Sequence, residues 1–495
     1  MREVDRNAIQ QLGIPEIVLM EHAAIATVEA LVSRFASAFA ETRGVVLAGP
    51  GNNGADALAC VRLIQEKRCH QVFVVLVQEG QSSSLSALGN LQLGILGKLG
   101  IPWGTNLTSD LLEASDWVID GIFGTGLHRT LNDKTKETIE LLNRFSQKKW
   151  IVSIDIPSGL DSNTGMPHAT AVRASQTVTL GFIKRGLVTA QGADYVGKLK
   201  LAPIQIPRLL PFPVDTFWYQ KNDVSRLPLR RKASHKGDFG HVWVVVGTEE
   251  KEGASLLAAL GALKAGAGLV TVVGSENALD SVRPRLPAEI MTETLSPSSF
   301  QKKGRHSVVV GPGLGLGGWS IVKQVLESDW PVVMDADAIT LLSEKGGEGR
   351  KLVAKRAKIP TLITPHPKEA SRLLGTTVES IEADRFEAVK ALADTYQTFV
   401  LLKGKGTCIR GPGGPTFVLV EGDSGLSKGG SGDLLCGILA AQFLQGLSTQ
   451  QGILLSVYLH GRASELLTQK TGSDRSSLPS EIAEHLTAAL RELEA

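Results

Sequence analysis

The chain is poor in cysteine, in aromatic residues and in net charge. Its 495 residues hold four cysteines, Cys60, Cys69, Cys408 and Cys436, with no C-x-x-C pair. That excludes a disulfide scaffold and a thiolate zinc cluster, and fits reduced thiols in a cytosolic protein. Lysine plus arginine number 52 against 50 aspartates and glutamates, a formal charge of +2. No general field draws such a chain to nucleic acid or to anionic lipid. No uninterrupted apolar run is long enough to cross a bilayer, and the charged start Met1–Arg6 leads into no signal-like core. A soluble, cytoplasmic protein that binds neither nucleic acid nor membrane is expected.

What is abundant is glycine, with 53 residues, beside an aromatic share of only 5%. That combination suits an α/β protein with tight strand-to-helix turns near ligands. The length calls for two or three domains. Apolar, β-branched runs at Val45–Ala48, Val72–Val77, Trp117–Asp120, Trp150–Asp155 and Thr177–Thr179 alternate with helical patterns such as Ala55–Glu66 and Leu85–Leu99. A helical segment, Arg2–Phe39, precedes them. Alternation of this kind predicts crossover units and a mainly parallel sheet. It breaks between Leu201 and Ser234, where Pro203, Pro207, Pro211, Pro213 and Pro228 deny donors to any central strand. A boundary is expected there, between domains at 1–212 and 223–495, with Arg230-Arg231-Lys232 as a solvated linker face. The rhythm resumes at His241–Val246, Val270–Val273, Val308–Val310, Val332–Asp335, Leu362–Thr364 and Phe399–Leu402. The halves share no residue-level repeat, so the chain reads as a fusion of two α/β domains.

In the first half, Gly49, Gly51 and Gly54 satisfy G-x-G-x-x-G between a strand and a helix, a turn whose bare amides accept a pyrophosphate. Asn52, Asn53 and Asp56 add polar groups that a mere turn does not need. Two further strand ends carry chemistry: Asp120, followed by the loop Gly121–Arg129, and Asp155 in Ser153-Ile154-Asp155-Ile156-Pro157-Ser158. Carboxyl ends of neighbouring parallel strands converge on one crevice. Asn53, Asp120 and Ser158 would offer hard oxygen ligands to a hydrated or alkali cation, leaving Asp155 for acid–base work. Glu79 could serve a dehydrogenase after its second strand, but nothing downstream resembles a hydride-transfer site.

In the second half, Gly311-Pro312-Gly313-Leu314-Gly315, Asp335-Ala336-Asp337-Ala338 and Thr364-Pro365-His366-Pro367-Lys368-Glu369 all sit at strand ends. Lys403-Gly404-Lys405-Gly406-Thr407 joins two strands and could grip a nucleotide phosphate. Lys428-Gly429-Gly430-Ser431-Gly432-Asp433 opens a helix; its amides and dipole make an oxyanion site, with Asp433 placed to take a proton from an attacking hydroxyl.

Gly49–Asp56, Asp120–Arg129 and Asp155–Leu160, with Leu19-Met20-Glu21 upstream, resemble the epimerase half of the NAD(P)H-hydrate repair enzymes. Gly311–Gly315, Asp335–Ala338, Thr364–Glu369 and Gly429–Asp433 resemble the ribokinase-like dehydratase half, in the same fused order. The resemblance implies a Rossmann-like parallel-sheet domain followed by a ribokinase-like α/β domain. It implies that the hydrated dinucleotide binds Asn52, Asn53, Gly54, Ala55, Asp56, Gly124, Thr125, Gly126, Leu127, His128, Arg129, Thr130 and Asp155, with potassium on Asn53, Asp120 and Ser158. The family usually has Gly where this chain has Ala55, so a requirement for positive φ there would disturb the loop. In the dehydratase, Ala254, Gly315, His366 and Asp433 would face the hydrate. Lys403, Gly404, Lys405, Gly406 and Thr407, with Gly430, Ser431 and Gly432, would hold the nucleotide. The implied partners are NADHX and NADPHX, with ADP plus Mg2+ as phosphoryl donor and ATP as the alternative. A homo-oligomer is expected. Two other classes stay open at this point: a vitamin or sugar kinase with an auxiliary domain, and a non-enzymatic dinucleotide-binding protein.

Overall fold

The computed structural model describes residues 2–78, 84–127, 129–207, 214–224, 227–228, 230–247 and 251–494. Its chain divides into two compact units, Met1–Pro213 and Val214–Ala495.

The first unit is built on a seven-stranded sheet: β1 Arg43–Ala48, β2 Gln71–Leu76, β3 Trp103–Gly104, β4 Trp117–Gly121, β5 Trp150–Ile154, β6 Gln176–Leu180 and β7 Lys198–Ala202. The spatial order is β3-β2-β1-β4-β5-β6-β7, parallel throughout. Central strands are buried on both faces, which is why they read as continuous Val/Ile runs. The strand order reverses between β1 and β4, and crevices open at such a switch point. There Gly49 lies against the end of β4: a Cβ on it would sit 1.9 Å from the Ile122 carbonyl oxygen.

The expected helix Arg2–Phe39 is two helices, Arg2–Gln10 and Glu16–Phe35, parted at Gly13 (φ +71°) and Pro15. With the 3-10 turn Ala36–Glu41, the second forms a 26-residue stretch holding an 18-residue window of mean hydropathy 1.4, long and apolar enough, by length and composition alone, to cross a membrane. Reading for unbroken apolar runs missed it, because Glu21, Glu29 and Arg34 interrupt the sequence. Its Met20, Ala23, Ala24, Val28 and Leu31 pack into the core beneath the sheet with Leu58 and Val61.

The second unit carries ten strands: β8 Thr216–Trp218, β9 His241–Val245, β10 Leu269–Gly274, β11 Ile290–Thr294, β12 His306–Val310, β13 Val332–Met334, β14 Thr361–Ile363, β15 Phe399–Leu402, β16 Thr407–Arg410 and β17 Thr416–Leu419. Their order is β11-β10-β9-β12-β13-β14-β15-β16-β17-β8. The run from β11 to β15 is parallel, β16 is antiparallel to both neighbours, and β8 lies parallel on β17. The order reverses between β9 and β12, where a Cβ on Gly247 would meet the Leu314 carbonyl oxygen at 2.0 Å. Both switch points are thus closed by a glycine against the neighbouring loop. In the proline-rich stretch the chain does form strands, β7 ending at Ala202 and β8, but each is the last strand of its sheet and neither contains a proline. Pro211 and Pro213 lie outside the described residues, as does Glu79.

Candidate active sites

A cavity of about 600 Å³ opens at the first switch point. The turn after β1 and helix Asn52–Glu66 supply Asn52, Asn53, Ala55 and Asp56; the loop after β4 supplies Gly124, Thr125, Gly126, Leu127 and Arg129; the end of β5 supplies Asp155. Helix Arg2–Gln10 adds Asp5 to the wall, and helix Glu16–Phe35 adds Glu16, Leu19 and Met20. Two of the expected residues that the structure describes are not on it. Gly54 lies behind the turn, where a Cβ would stand 1.9 Å from the Gly49 carbonyl oxygen. Thr130 is exposed outside the cavity, and His128 lies outside the described residues. Ala55 is helical and not at positive φ, so the missing glycine leaves the loop unstrained.

Asp120 is fully buried at the end of β4. It accepts bonds from Ser158 Oγ (2.5 Å), Ser158 N (2.9 Å) and Ser153 Oγ (2.7 Å). Burial still pushes its carboxyl above the usual range, since Ser158 and Ser153 offset only part of the desolvation. Ser158 Oγ also reaches the Phe123 carbonyl oxygen at 3.3 Å. Buried Asn53 has an amide nitrogen without a partner among the described residues, and its side chain lies against Gly124. A buried carboxylate held only by neutral donors, beside hydroxyl, carbonyl and amide oxygens, is the donor set an alkali cation takes.

Asp155 sits at φ +65°, a left-handed conformation rare outside glycine, asparagine and aspartate. Its Oδ1 accepts from the Leu180 amide (3.1 Å) and from Lys184 Nζ. Lys184 is buried as well and also reaches Thr179 Oγ1 (3.1 Å) and the Leu180 carbonyl (2.8 Å). Sequence reasoning missed Lys184. It belongs to no motif and meets Asp155 only because β5 and β6 pair in register, Ile154 opposite Val178.

In the second unit, Gly430 caps helix Ser431–Gln442 at φ +95°, with Ser431, Gly432 and Asp433 in the first turn. Burial, reinforced by Asp335, pushes the Asp433 carboxyl up to about 6. Directly beneath, Lys403 Nζ pairs with Asp335 Oδ1 at 2.6 Å, with Glu369 Oε2 at 3.9 Å. Asp335 Oδ2 accepts from the Cys436 thiol at 3.2 Å. Burial alone would lower the Lys403 pKa; Asp335 and Glu369 outweigh it and raise it. Burial lifts Glu369 to about 7.

The lysines of the β15–β16 turn are therefore not free arms. Lys403 points inward, and Lys405 Nζ binds the carbonyl oxygens of Val420 (2.8 Å) and Gly422 (3.1 Å). Thr407 Oγ1 binds back to the Gly404 carbonyl at 2.9 Å. Ser431 Oγ lies 3.3 Å from Nε2 of buried His460. Gly315 N donates to Asp337 Oδ2 at 2.9 Å, which fixes the glycine loop after β12 to the helix after β13. Ala254 lies in helix Glu252–Lys264. His366 is the N-cap of helix Pro367–Leu374: Nδ1 accepts from the Lys368 and Glu369 amides, and Nε2 stands 3.4 Å from Glu369 Oε1. Its two flanking prolines signalled rigidity but not this capping role. Asp335 and Glu369 were visible at strand ends, yet only the folded structure shows them as the anchors of Lys403.

These two units are, by fold and by the residues at their switch points, a dinucleotide-site domain joined to a kinase-like domain. Comparison with known proteins places both. Residues 16–186 match the family described as YjeF-related protein N-terminus, and residues 242–488 match NAD(P)H-hydrate dehydratase. The bifunctional NAD(P)H-hydrate repair enzyme of Moorella thermoacetica is 33% identical, over 100% of this chain and 96% of its own. That of Escherichia coli is 32% identical, over 96% and 89%. Among solved structures, the ADP/ATP-dependent NAD(P)H-hydrate dehydratase of Bacillus subtilis is 30% identical, covering 56% of this chain and 98% of its own, with a TM-score of 0.49. The chain belongs to the family of bifunctional NAD(P)H-hydrate repair enzymes.

Proposed function

We propose that the first unit interconverts the R and S hydrates of NADH and NADPH, and that the second dehydrates the S hydrate at the expense of ADP, giving AMP and phosphate. One observation carries this reading. A chain aligned end to end with the bifunctional enzymes keeps a polar, glycine-lined site at the switch point of its first sheet and an Asp-headed glycine turn in its second unit.

The hydrates carry a hydroxyl on C6 of the nicotinamide ring, and hydroxide is a poor leaving group. In the second unit Asp433 takes the hydroxyl proton as oxygen attacks the terminal phosphorus, and the Gly430–Gly432 amides steady the transferring group. Lys403, held by Asp335, adds a fixed positive charge below that turn. Asp335 and Glu369 are the carboxylates that would hold magnesium or its waters, and the ion would supply further charge neutralisation when bound with the nucleotide. The ring nitrogen's lone pair then expels phosphate, and loss of the C5 proton restores the double bond.

In the first unit Asp155 serves acid–base chemistry at C6 with Lys184 beside it. Asn53, Asp120 and Ser158 would hold potassium, whose charge would tie together the loops after β1, β4 and β5. Work on free dinucleotides fits a soluble, cytoplasmic homo-oligomer. The test is to offer separated R and S hydrates to the protein with ADP, ATP or neither, following each by chromatography. The reading requires R–S interconversion without nucleotide and loss of S with release of phosphate when ADP is present. A stable phosphorylated product would instead favour a small-molecule kinase.

A further inference from the structure

Inversion at C6 needs the oxygen to leave from one face of the ring and return on the other, and one carboxylate at one strand end serves one face. The same cavity has a second carboxyl group from an unrelated element: Asp5, half-buried on helix Arg2–Gln10. We propose that Asp5 is the second acid–base residue of the epimerase site, acting on the ring face opposite to Asp155. This rests on the epimerase reading given above.

The groups facing Asp5 favour it over the other acids of the wall. Glu16 already accepts from Asn52 Nδ2 at 2.5 Å. Asp56 is pushed well up by burial and by the carboxylates of Asp155, Asp5 and Glu16, with no cation among the groups acting on it. Asp5 feels the Lys184 ammonium as well as the charges of Asp155 and Glu16. Burial, the largest influence, lifts it to about 6, which keeps both of its proton states within reach near neutral pH. Asp155 meanwhile is ion-paired with Lys184. Two carboxyl groups in one site with different environments are the usual basis for dividing acid and base roles.

The step balances as follows. Asp5 gives its proton to the C6 oxygen, the C–O bond breaks, water leaves, and the ring nitrogen's lone pair forms a C6=N iminium. A water on the opposite face attacks C6 and gives its proton to Asp155, completing the other epimer. One proton has moved from Asp5 to Asp155. Asp5 then takes a proton from the water of the cavity and Asp155 releases one to it, which restores the starting state.

The test uses the full-length protein, separated hydrates and oxygen-18 water, with potassium present and nucleotide absent. The wild-type chain should invert both hydrates and incorporate label. Asp5→Asn should lose inversion by about 100-fold or more. It should still exchange label, with retention, into the one epimer whose hydroxyl faces Asp155 and Lys184. Asp5→Ser should behave alike, and thermal melting reports that the first unit is folded in both. Inversion by Asp5→Asn at the wild-type rate would overturn the proposal. So would loss of inversion and exchange together in both variants, since that is what mere displacement of the helix produces. A wild-type chain that inverts neither hydrate would sink the epimerase reading itself, before any variant is made.

Discussion

Two side chains show how the chain trades stability for chemistry. Asp433 has a folded pKa near 6, above its unfolded value, so its ionisation weighs on the native state. That cost is absent below about pH 4 and complete above the folded pKa, amounting to roughly 2–3 kcal/mol. Asp433→Asn should therefore melt higher than wild type at pH 8, with the gain vanishing in acid. Dehydration should fall about 100-fold to 10,000-fold while R–S interconversion is unchanged. A calorimetric scan and the two activity assays on one preparation check both halves. Lys184 works in the opposite sense. Replacing it with methionine strands a buried Asp155 and should destabilise the first unit by about 3–5 kcal/mol, read by urea unfolding, and abolish interconversion. Asp155 was legible in sequence because it heads a motif; Lys184 was not, because an isolated lysine in Gly181–Arg185 has no pattern to announce it.

At the level of elements, the long β-branched runs were readable because strands buried on both faces need nothing else. The two-residue β3, the edge strand β11, the late strand β17 and the terminal strands β7 and β8 were not. Their residues are short runs or mixed in character, and partner strands settle their state. Helix contacts were equally invisible. Helix Ser431–Gln442 lies so close on helix Glu252–Lys264 that a Cβ on Gly437 would meet the Ala258 carbonyl oxygen at 1.8 Å. The opposing atom is backbone and cannot swing away. Gly437→Ala should lower the melting temperature of the second unit, at a cost of about 1–3 kcal/mol or more, and tilt Asp433 away from its turn. Dehydration should weaken with it, and interconversion should not. Equal melting curves for variant and wild type would show that the helices can part without penalty.

For the whole molecule, two compact units each carry their own candidate site. Asn53, Asp120 and Ser158 come from three segments of the first unit, and the buried Asp120 carboxylate meets only neutral donors. Exchanging potassium for tetramethylammonium at constant ionic strength should slow interconversion more than dehydration, with recovery when potassium is restored. Asp120→Ala should no longer respond to the exchange. Interconversion equally fast in both salts would leave Asp120 as a loop-ordering residue only. The fused order of two α/β domains could be read from the chain. The inward turn of Lys403 could not, because a lysine in a glycine-rich turn reads as an exposed arm until its buried partners are in place.

The left-handed backbone at Asp155 has an evolutionary corollary. Asparagine and glycine suit that conformation as well as aspartate does, and neither can exchange a proton. The replacements that this position accepts most comfortably are thus the ones that silence it. Each would also leave the buried Lys184 ammonium without its partner, so a lineage released from selection on the hydrates could shed the acid–base group without loss of fold only after Lys184 had changed as well. Descendants of that kind would persist as ligand binders, alike in fold to active members and separable from them by reading positions 155 and 184 together.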